Sequence, residues 1–316
     1  MAGRQVPTVA RRDVLVGAAA GVVAWVGMAG WALLGVALAG FGVAAAPAAV
    51  ALAVGGSVGV GQDMGPARLD GSISVLPLGV SLVGAILLAA VLTSWPRVAG
   101  AVAVFAVGLL VVPFLPAGQL DIRFWPTVLG GTLWLAVVLG LRVAMWWLPR
   151  IRKVVAVLLG AAGLASILGG LASVVGGVRV LGTMVLAAPN LLCVALTRGL
   201  GTPWTVRGPE LPLTTVDTGG LGPIAAPMWP LVTLAAAVVV LIAVSAGWHT
   251  PWVAGLCFGG MAVLGGASVE FRVGGLLGIE LGVGGNVLVA AGTGLLAGSA
   301  ACLLVQAARY WHRQRT

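Results

Sequence analysis

The fold of this chain is decided by stretches such as residues 14–36, VLVGAAAGVVAWVGMAGWALLGV, which run for 23 residues without a charged side chain. A helix needs about 20 apolar residues in a row to cross a bilayer. The run is continuous, and it lacks the short alternating pattern that is typical of strands in a membrane β-barrel. It therefore predicts a membrane-spanning α-helix.

Composition extends this prediction to the whole chain. Of the 316 residues, 60% are hydrophobic and only 8% are charged, and the mean hydropathy is +1.13. Soluble proteins carry roughly 25% charged residues, so this chain has too few charges to cover a soluble globular surface. The sequence predicts an all-α, polytopic transmembrane helix bundle in the plasma membrane.

The chain contains ten hydrophobic segments, most of them close to the length of one membrane crossing. They extend over residues 14–36, 42–60, 72–94, 98–116, 126–148, 153–176, 179–199, 227–247, 252–269 and 286–308. Tryptophans stand near the ends of several segments, where indoles favour the level of the lipid headgroups. We expect eight to ten of these segments to cross.

The net charge of +9 does not indicate a nucleic-acid partner, because the basic residues stand where membrane topology signals occur. The topology determinants form three clusters: Arg11 and Arg12; Arg150, Arg152 and Lys153; and Arg309, Arg313 and Arg315. We expect the lipid bilayer, together with membrane-protein partners, to be what this chain contacts.

The first cluster allows a second interpretation. Arg11, Arg12 and Asp13 before an apolar run resemble a twin-arginine signal. The apolar core of a cleavable signal has 7–15 residues, and the run of 23 residues here is longer. The length favours a first membrane helix over a cleaved signal.

Short matches between the two halves of the chain indicate an internal repeat. Pro77-Leu78 is followed by Trp95, and Pro230-Leu231 is followed at the same interval by Trp248. A Pro-x-Val-Ala-Gly pattern then begins one residue after the first tryptophan and three residues after the second. The repeat predicts a first membrane repeat over residues 1–149 and a second over residues 150–316, each with five hydrophobic segments and together forming one membrane domain.

Topology has two solutions. If all ten segments cross, the halves are inverted repeats, as in many transporters, but the basic cluster that begins at Arg150 then lies outside, against the positive-inside rule. If segments 42–60 and 179–199 only enter the membrane, each half crosses four times and all three basic clusters lie inside. Both of these segments contain a helix-weakening proline, Pro47 and Pro189.

Two stretches, Gly71-Ser-Ile-Ser-Val-Leu-Pro-Leu-Gly79 and Ala188-Pro189-Asn190 followed by Ala195-Leu-Thr-Arg-Gly-Leu-Gly201, carry a family resemblance. In this order the chain resembles the streptophobe-type proteins, very hydrophobic multi-span proteins of streptomycetes and their relatives. The resemblance implies the plasma membrane of an actinobacterium. It implies no activity, and no catalytic residue follows from it.

Motifs for catalysis, cofactors or metals are not found. Residues 55–59 match the Gly-x-Ser-x-Gly nucleophile pattern, but the elbow needs a strand before the serine and a helix after it, with a histidine and an acid in reach. The three cysteines and two histidines are too far apart in sequence to predict a disulfide framework or a metal site. We expect no enzyme, no catalytic residues and no cofactor or metal.

Four residues are candidates for a polar site in the membrane. Arg142 lies near the end of its span, where either transport or snorkelling to the interface would account for it. Asn190, directly after Pro189, is able to bind a substrate or to bridge helices. Glu280 lies in a glycine-rich stretch that indicates a solvated loop, with a re-entrant site as the alternative.

The sequence therefore predicts a non-enzymatic membrane protein that acts through membrane partners or lipid. The scarcity of charge within the spans favours it, because ion-coupled transport uses ionisable groups there. The alternative is a secondary transporter or flippase-like carrier of an apolar or weakly polar substrate. A water-filled path lined by Asn190 and Arg142 would distinguish the carrier from the first function.

Overall fold

The structure is a computed structural model that describes residues 8–64, 67–208, 228–273 and 277–315. Over these residues the chain forms ten α-helices and six β-strands, in two compact units. Unit 1 consists of Met1–Trp147 and Gly169–Ala188, and unit 2 consists of Leu148–Leu168 and Pro189–Thr316.

The elements follow each other in a simple order. The first part of unit 1 contains α1 (Thr8–Ala39), α2 (Ala46–Ala53), β1 (Val58–Met64), β2 (Ala67–Val75), α3 (Leu78–Val91), α4 (Trp95–Val111), β3 (Leu120–Ile122) and α5 (Phe124–Trp147). Two helices, α6 (Pro149–Gly176) and α7 (Val178–Gly199), contribute residues to both units. Unit 2 continues with β4 (Trp204–Arg207), α8 (Met228–Ala246), α9 (Thr250–Leu264), β5 (Ala267–Val273), β6 (Leu277–Gly285) and α10 (Val287–Arg315).

Seven helical stretches of the described residues are long and apolar enough to cross a membrane. They are Arg11–Ala39, Trp95–Phe114, Phe124–Trp147, Pro149–Leu171, Val178–Gly199, Trp229–Leu264 and Val287–Arg315. Large apolar side chains on these helices, such as Leu133, Val137 and Leu288, remain exposed on the protein surface, as they would against lipid. The structure therefore supports the prediction of a helical membrane protein.

The predicted segment 42–60 is not one helix. Helix α2 has eight residues, about 12 Å at 1.5 Å per residue, whereas the hydrocarbon core is about 30 Å thick. The chain leaves the helix at Gly55, whose φ of +86° suits glycine, and Val58 then begins strand β1. This segment is too short to cross the membrane as a helix.

Glycines let the helices of unit 1 pack closely. A methyl group on Gly17 of α1 would overlap the backbone of Arg97, and one on Gly100 of α4 would overlap the backbone of Val14. The two helices run parallel: Gly21, which is farther along α1 than Gly17, lies beside Ala101 and Val104, which are farther along α4 than Arg97. Gly17 and Gly21 therefore allow α1 and α4 to approach closely.

In unit 2 the apolar stretch Trp229–Leu264 is a pair of helices rather than one. Leu231 lies against Gly199, and the carbonyl of Leu264 accepts a hydrogen bond from Asn190. These two positions on α7 are about 13.5 Å apart, whereas a straight helix from Leu231 to Leu264 would measure about 50 Å. The chain therefore reverses between α8 and α9, at Gly247 (φ +61°), and α10 packs against α9 through Gly294 and Gly298.

Each unit also contains a small antiparallel sheet that the sequence did not predict. The strand order is β3-β1-β2 in unit 1 and β5-β6-β4 in unit 2. In β6, Leu277, Ile279, Leu281 and Val283 alternate with glycines and Glu280. This alternation is the period of a strand, and the glycines conceal it because they are poor strand formers. The sheets are an addition to the predicted helical bundle.

Candidate functional site

Arg142 of α5 is held by other parts of unit 1. Its Nε donates a hydrogen bond of 2.8 Å to the carbonyl of Leu92, at the end of α3. Its guanidinium also lies 5.9 Å from the ring centroid of Trp146, which meets Trp95 edge to face. The hydrogen bond satisfies a carbonyl that the end of a helix leaves without a partner. Arg142 thus fastens the end of α5 to the turn between α3 and α4.

The start of α1 is attached to the same turn. Asp13 forms an ion pair with Arg97 at 3.0 Å and accepts a hydrogen bond from Ser94 at 3.3 Å. Arg97 also donates to the hydroxyl of Thr93. Asp13 therefore pairs with Arg97 rather than with its sequence neighbour Arg12. The beginning of α1 and the end of α5 lie at one end of unit 1.

Unit 2 has a corresponding arrangement. Arg309 of α10 donates to the carbonyl of Val244 near the end of α8, at 3.3 Å. The thiol of Cys302 lies 3.4 Å from the carbonyl of Gly247 in the turn between α8 and α9. Arg315 covers the ring of Trp311 at 5.4 Å. The C-terminal half of α10 therefore lies at the turn of the α8–α9 pair.

Asn190 and Pro189 lie within the continuous helix α7. Asn190 is 8% exposed, and its Nδ2 donates to the carbonyl of Leu264 at 3.1 Å. Because proline has no N–H, the carbonyl of Val185 four residues earlier loses its partner in the helix. Trp31 of α1 supplies that partner, with its Nε1 3.0 Å from the Val185 oxygen. Both polar groups at this point of α7 thus have structural bonds.

Glu280 is exposed and lies in strand β6, not in the predicted loop. It stands opposite Glu270 of β5 in the register of the sheet. Arg142 lies in unit 1, and Asn190 and Glu280 lie in different elements of unit 2, α7 and β6.

The basic residues predicted as topology determinants are at or beside helix ends. Arg11 and Arg12 are in the first turns of α1, and Arg150, Arg152 and Lys153 are in the first turns of α6. Arg309, Arg313 and Arg315 are in the last turns of α10. All eight of these basic side chains are exposed.

The part of the chain that the structure describes contains both histidines, all three cysteines and the serine of the Gly-x-Ser-x-Gly match. Its histidines, cysteines and acids form no group of three that would hold a metal ion. Ser57 follows a helix and precedes strand β1, the reverse of the order that a nucleophile elbow needs. His249 and His312 are both exposed on the surface.

A buried network in unit 1 was not predicted. Trp25, Phe105 and Trp134 stack with ring centroids 4.6 and 5.1 Å apart. Trp134 donates to the hydroxyl of Ser81, which donates to the carbonyl of Ala53, both at 2.7 Å. The five residues come from five helices, so no spacing in the sequence could have linked them.

Beside this network lies an apolar groove within unit 1. It has a volume of about 610 Å³ and lies between α1, the residues from Val43 through α2, and the C-terminal part of α4. Trp25, Leu33, Val50, Val111 and Leu115 are among the residues that line it. Among the lining side chains of the described residues the one polar group is the indole N–H of Trp25, which is buried without a hydrogen-bond partner. Two of the helices that line the groove, α1 and α4, are long and apolar enough to cross a membrane.

Protein-family models, curated proteins and solved structures were compared with the chain, and none of them matches it. The inference of function therefore depends on the residues of this chain and on their contacts.

Proposed function

We propose that this chain is a non-enzymatic plasma-membrane protein that binds bilayer lipid through the apolar groove of unit 1. The groove is the observation on which the proposal rests. Its volume of about 610 Å³ is in the range of small-molecule sites. Apart from the indole N–H of Trp25, its wall offers dispersion and hydrophobic contacts, which suit an acyl chain. Its position on helices that are long enough to span the bilayer supports lipid as the occupant.

An eight-crossing topology is part of the proposal. In unit 1, the Asp13–Arg97 contact links the start of α1 to the start of α4, and the Arg142–Leu92 contact links the end of α5 to the end of α3. In the proposed topology α1 and α4 therefore cross away from this end of the unit, and α3 and α5 cross back to it. A methyl group on Gly182 of α7 would overlap Ala39, so α7 begins at the opposite end, where α1 finishes. In this topology α2 and α7 stay on that side.

The same topology is supported in unit 2. Helix α7 contacts the start of α8 at Leu231 and the end of α9 at Leu264, and α10 runs back to the α8–α9 turn. Helix α6 begins two residues after Trp147, the last residue of α5, so in this topology it starts on the side of the membrane where α5 ends. One crossing by α6 then brings the chain to the side on which α7 is proposed to lie. All three basic clusters then face the cytoplasm, as the positive-inside rule requires.

The internal repeat also belongs to the proposal. In each half a strand that follows the second helix pairs with the strand before the last helix: β1 with β3, and β4 with β6. In each half an arginine of the last helix donates to a carbonyl of the first helix of a hairpin, Leu92 or Val244. The family resemblance to the streptophobe-type proteins and the plasma-membrane location remain predictions alongside it.

A carrier is the second candidate. It is supported by the position of the groove against α1 and α4, which are long and apolar enough to cross a membrane. It is weakened because Arg142 and Asn190, the two residues that would line a polar path, are both in structural hydrogen bonds. Four crossings in each half also remove the inverted symmetry that favoured transport.

Lipid binding is tested with a phospholipid that carries a photoactivatable diazirine in its acyl chain, incorporated into nanodiscs with the full chain. We expect the crosslinked residues to concentrate on the groove, on α1 from Trp25 to Leu33 and on α4 from Gly108 to Val111. Ala29→Phe places a ring in the groove and should remove most of this labelling. Ala19→Phe is the matched control, because Ala19 is an exposed residue of α1 outside the groove.

Equal labelling of all exposed helix surfaces, or full labelling in Ala29→Phe, would contradict the proposal. Capture of a protein on the groove, with no lipid crosslink there, would replace lipid by a membrane-protein partner. A reconstituted assay of lipid exchange between leaflets addresses the carrier: exchange that depends on the chain and falls in Ala29→Phe would favour it.

A further inference from the structure

A second cavity, in unit 2, differs from the groove in its chemistry. It has a volume of about 420 Å³ and lies on the sheet formed by β5, β6 and β4. Glu280, Ser268, Thr205 and Asn286 are the polar residues that line it. Its floor is formed by Gly282 and Gly284 of the central strand β6.

The register of the sheet explains how this cavity arises. Residues two apart on a strand share a face, so Glu280, Gly282 and Gly284 lie along one face of β6. Ser268 of β5 is opposite Gly282, and Thr205 of β4 is opposite Gly284. The central strand therefore has no side chains between two flanking hydroxyl groups, and a trough results.

The floor of this trough is open. A methyl group built on Gly284 would meet no atom within 4 Å. The N–H and C=O groups of the central strand are directed to β5 and β4 in the two ladders, so the side chains of the walls are the groups available for polar contacts. A ligand would rest on the glycines and bond to the walls.

We infer that this trough binds a neutral, polyhydroxylated ligand of one or two sugar units. The Thr205 hydroxyl donates to the carbonyl of Gly284 at 3.4 Å, and the Asn286 amide oxygen accepts from the N–H of Val289 at 3.1 Å. The wall still offers a ligand the carboxylate of Glu280 and a lone pair of Thr205 as acceptors, the amide N–H groups of Asn286 as donors, and the Ser268 hydroxyl as both. Hydroxyl groups match such a mixed wall because each of them both donates and accepts. The inference is independent of lipid binding, because the trough shares no residue with the groove of unit 1.

Other classes of ligand fit this wall less well. The carboxylate of Glu280 repels phosphate, and its partner in the register is a second acid, Glu270. Aromatic residues, which form the cages that hold quaternary amines, are not among those that line the trough.

The volume agrees with this class of ligand. Small-molecule sites usually measure about 300–1,000 Å³, and the trough of about 420 Å³ lies in the lower part of that range. A glycine floor between two hydroxyl groups, Ser268 on one side and Thr205 on the other, suits a sugar ring better than one compact ion.

The test is saturation-transfer NMR on the full chain in nanodiscs, with maltose as the probe. We expect transfer from the protein to the maltose ring protons, and an affinity about tenfold lower in Glu280→Gln, as for loss of one charge-assisted hydrogen bond. Gly284→Val fills the floor and should abolish the signal. Leu281→Val is the control on the opposite face of the same strand, and it should bind maltose like the natural chain.

Three outcomes would overturn the inference. Maltose transfer that is unchanged in Gly284→Val would show that the sugar binds elsewhere. If ethanolamine or inorganic phosphate binds, if that binding changes in Glu280→Gln, and if maltose gives no signal, the trough is an ion site. If Gly284→Val fails to fold, Thr205→Val keeps the size of the side chain and removes its hydroxyl, and undiminished maltose binding in that variant would also reject the inference.

Discussion

The indole nitrogen of Trp31 donates a hydrogen bond of 3.0 Å to the carbonyl of Val185. That carbonyl needs a partner from outside its helix because Pro189, four residues later, has no N–H to offer. The proline in α7 therefore does not open a polar site. It provides an acceptor for α1, and the hydrogen bond joins the two helices.

Trp31→Phe should consequently destabilise the protein by about 1–3 kcal/mol, because the Val185 carbonyl is left unsatisfied. Pro189→Ala restores the helix N–H that this carbonyl lacks. The loss caused by Trp31→Phe should then be much smaller in the Pro189→Ala background than in the natural chain. Unfolding free energies of the two single variants and the double variant, measured in the same bilayer mimic, test this coupling. Equal losses in both backgrounds would mean that the Trp31 bond is not linked to the proline.

The close approach of α1 to α4 gives a second prediction. Gly17→Ala should destabilise the protein by several kcal/mol or prevent its folding, because the added methyl group would overlap the backbone of Arg97, which cannot move aside as a flexible side chain would. Gly30→Ala is the matched control on the same helix, since a methyl group there meets no atom within 4 Å. It should be neutral or stabilising by up to about 1 kcal/mol. Thermal unfolding of both variants decides, and a stable Gly17→Ala protein would contradict the packing.

Sequence patterns predict the helices well because each long apolar run is read from adjacent residues. The run 14–36 lies wholly within α1, and Pro47 lies in α2, which is too short to cross the membrane as a helix. The sheets were missed for a local reason: glycines at alternate positions of β1 and β6 weaken the strand signal and suggest loops.

The candidate sites could not be predicted at all, because their residues are distant in the sequence. The groove combines Trp25, Val50 and Val111, and the trough combines Thr205, Ser268 and Glu280. Only Glu280 was selected in advance, as an isolated charge in a glycine-rich stretch. A charged side chain within an apolar sequence is informative because burying a charge in a membrane costs free energy. The sequence does not, however, identify the residues that folding places beside it.

Ser81 carries the next prediction, because it links Trp134 to the backbone of Ala53 and is only 4% exposed. Ser81→Ala leaves a buried indole N–H and a carbonyl without this link, and we expect a loss of about 1–3 kcal/mol in unfolding free energy. Ser166→Ala is the control, since the Ser166 hydroxyl bonds only within its own helix, to Ala162. The control should change stability by less than about 0.5 kcal/mol. A similar loss in both variants would indicate a general effect of removing hydroxyl groups.

The sidedness of the chain provides the most direct test of the eight-crossing topology. Single cysteines replace Arg150, Glu280 and Arg315, which are exposed, in a chain whose three natural cysteines are changed to serine or alanine. An impermeant maleimide applied to intact cells should label position 280 and leave positions 150 and 315 protected until the cells are opened. The expected pattern follows from four crossings in each half, because the basic clusters then share the cytoplasmic side with the N-terminus. Labelling of position 150 in intact cells would mean an odd number of crossings in the first half. The halves would then be inverted, and a carrier would become the better explanation of the groove.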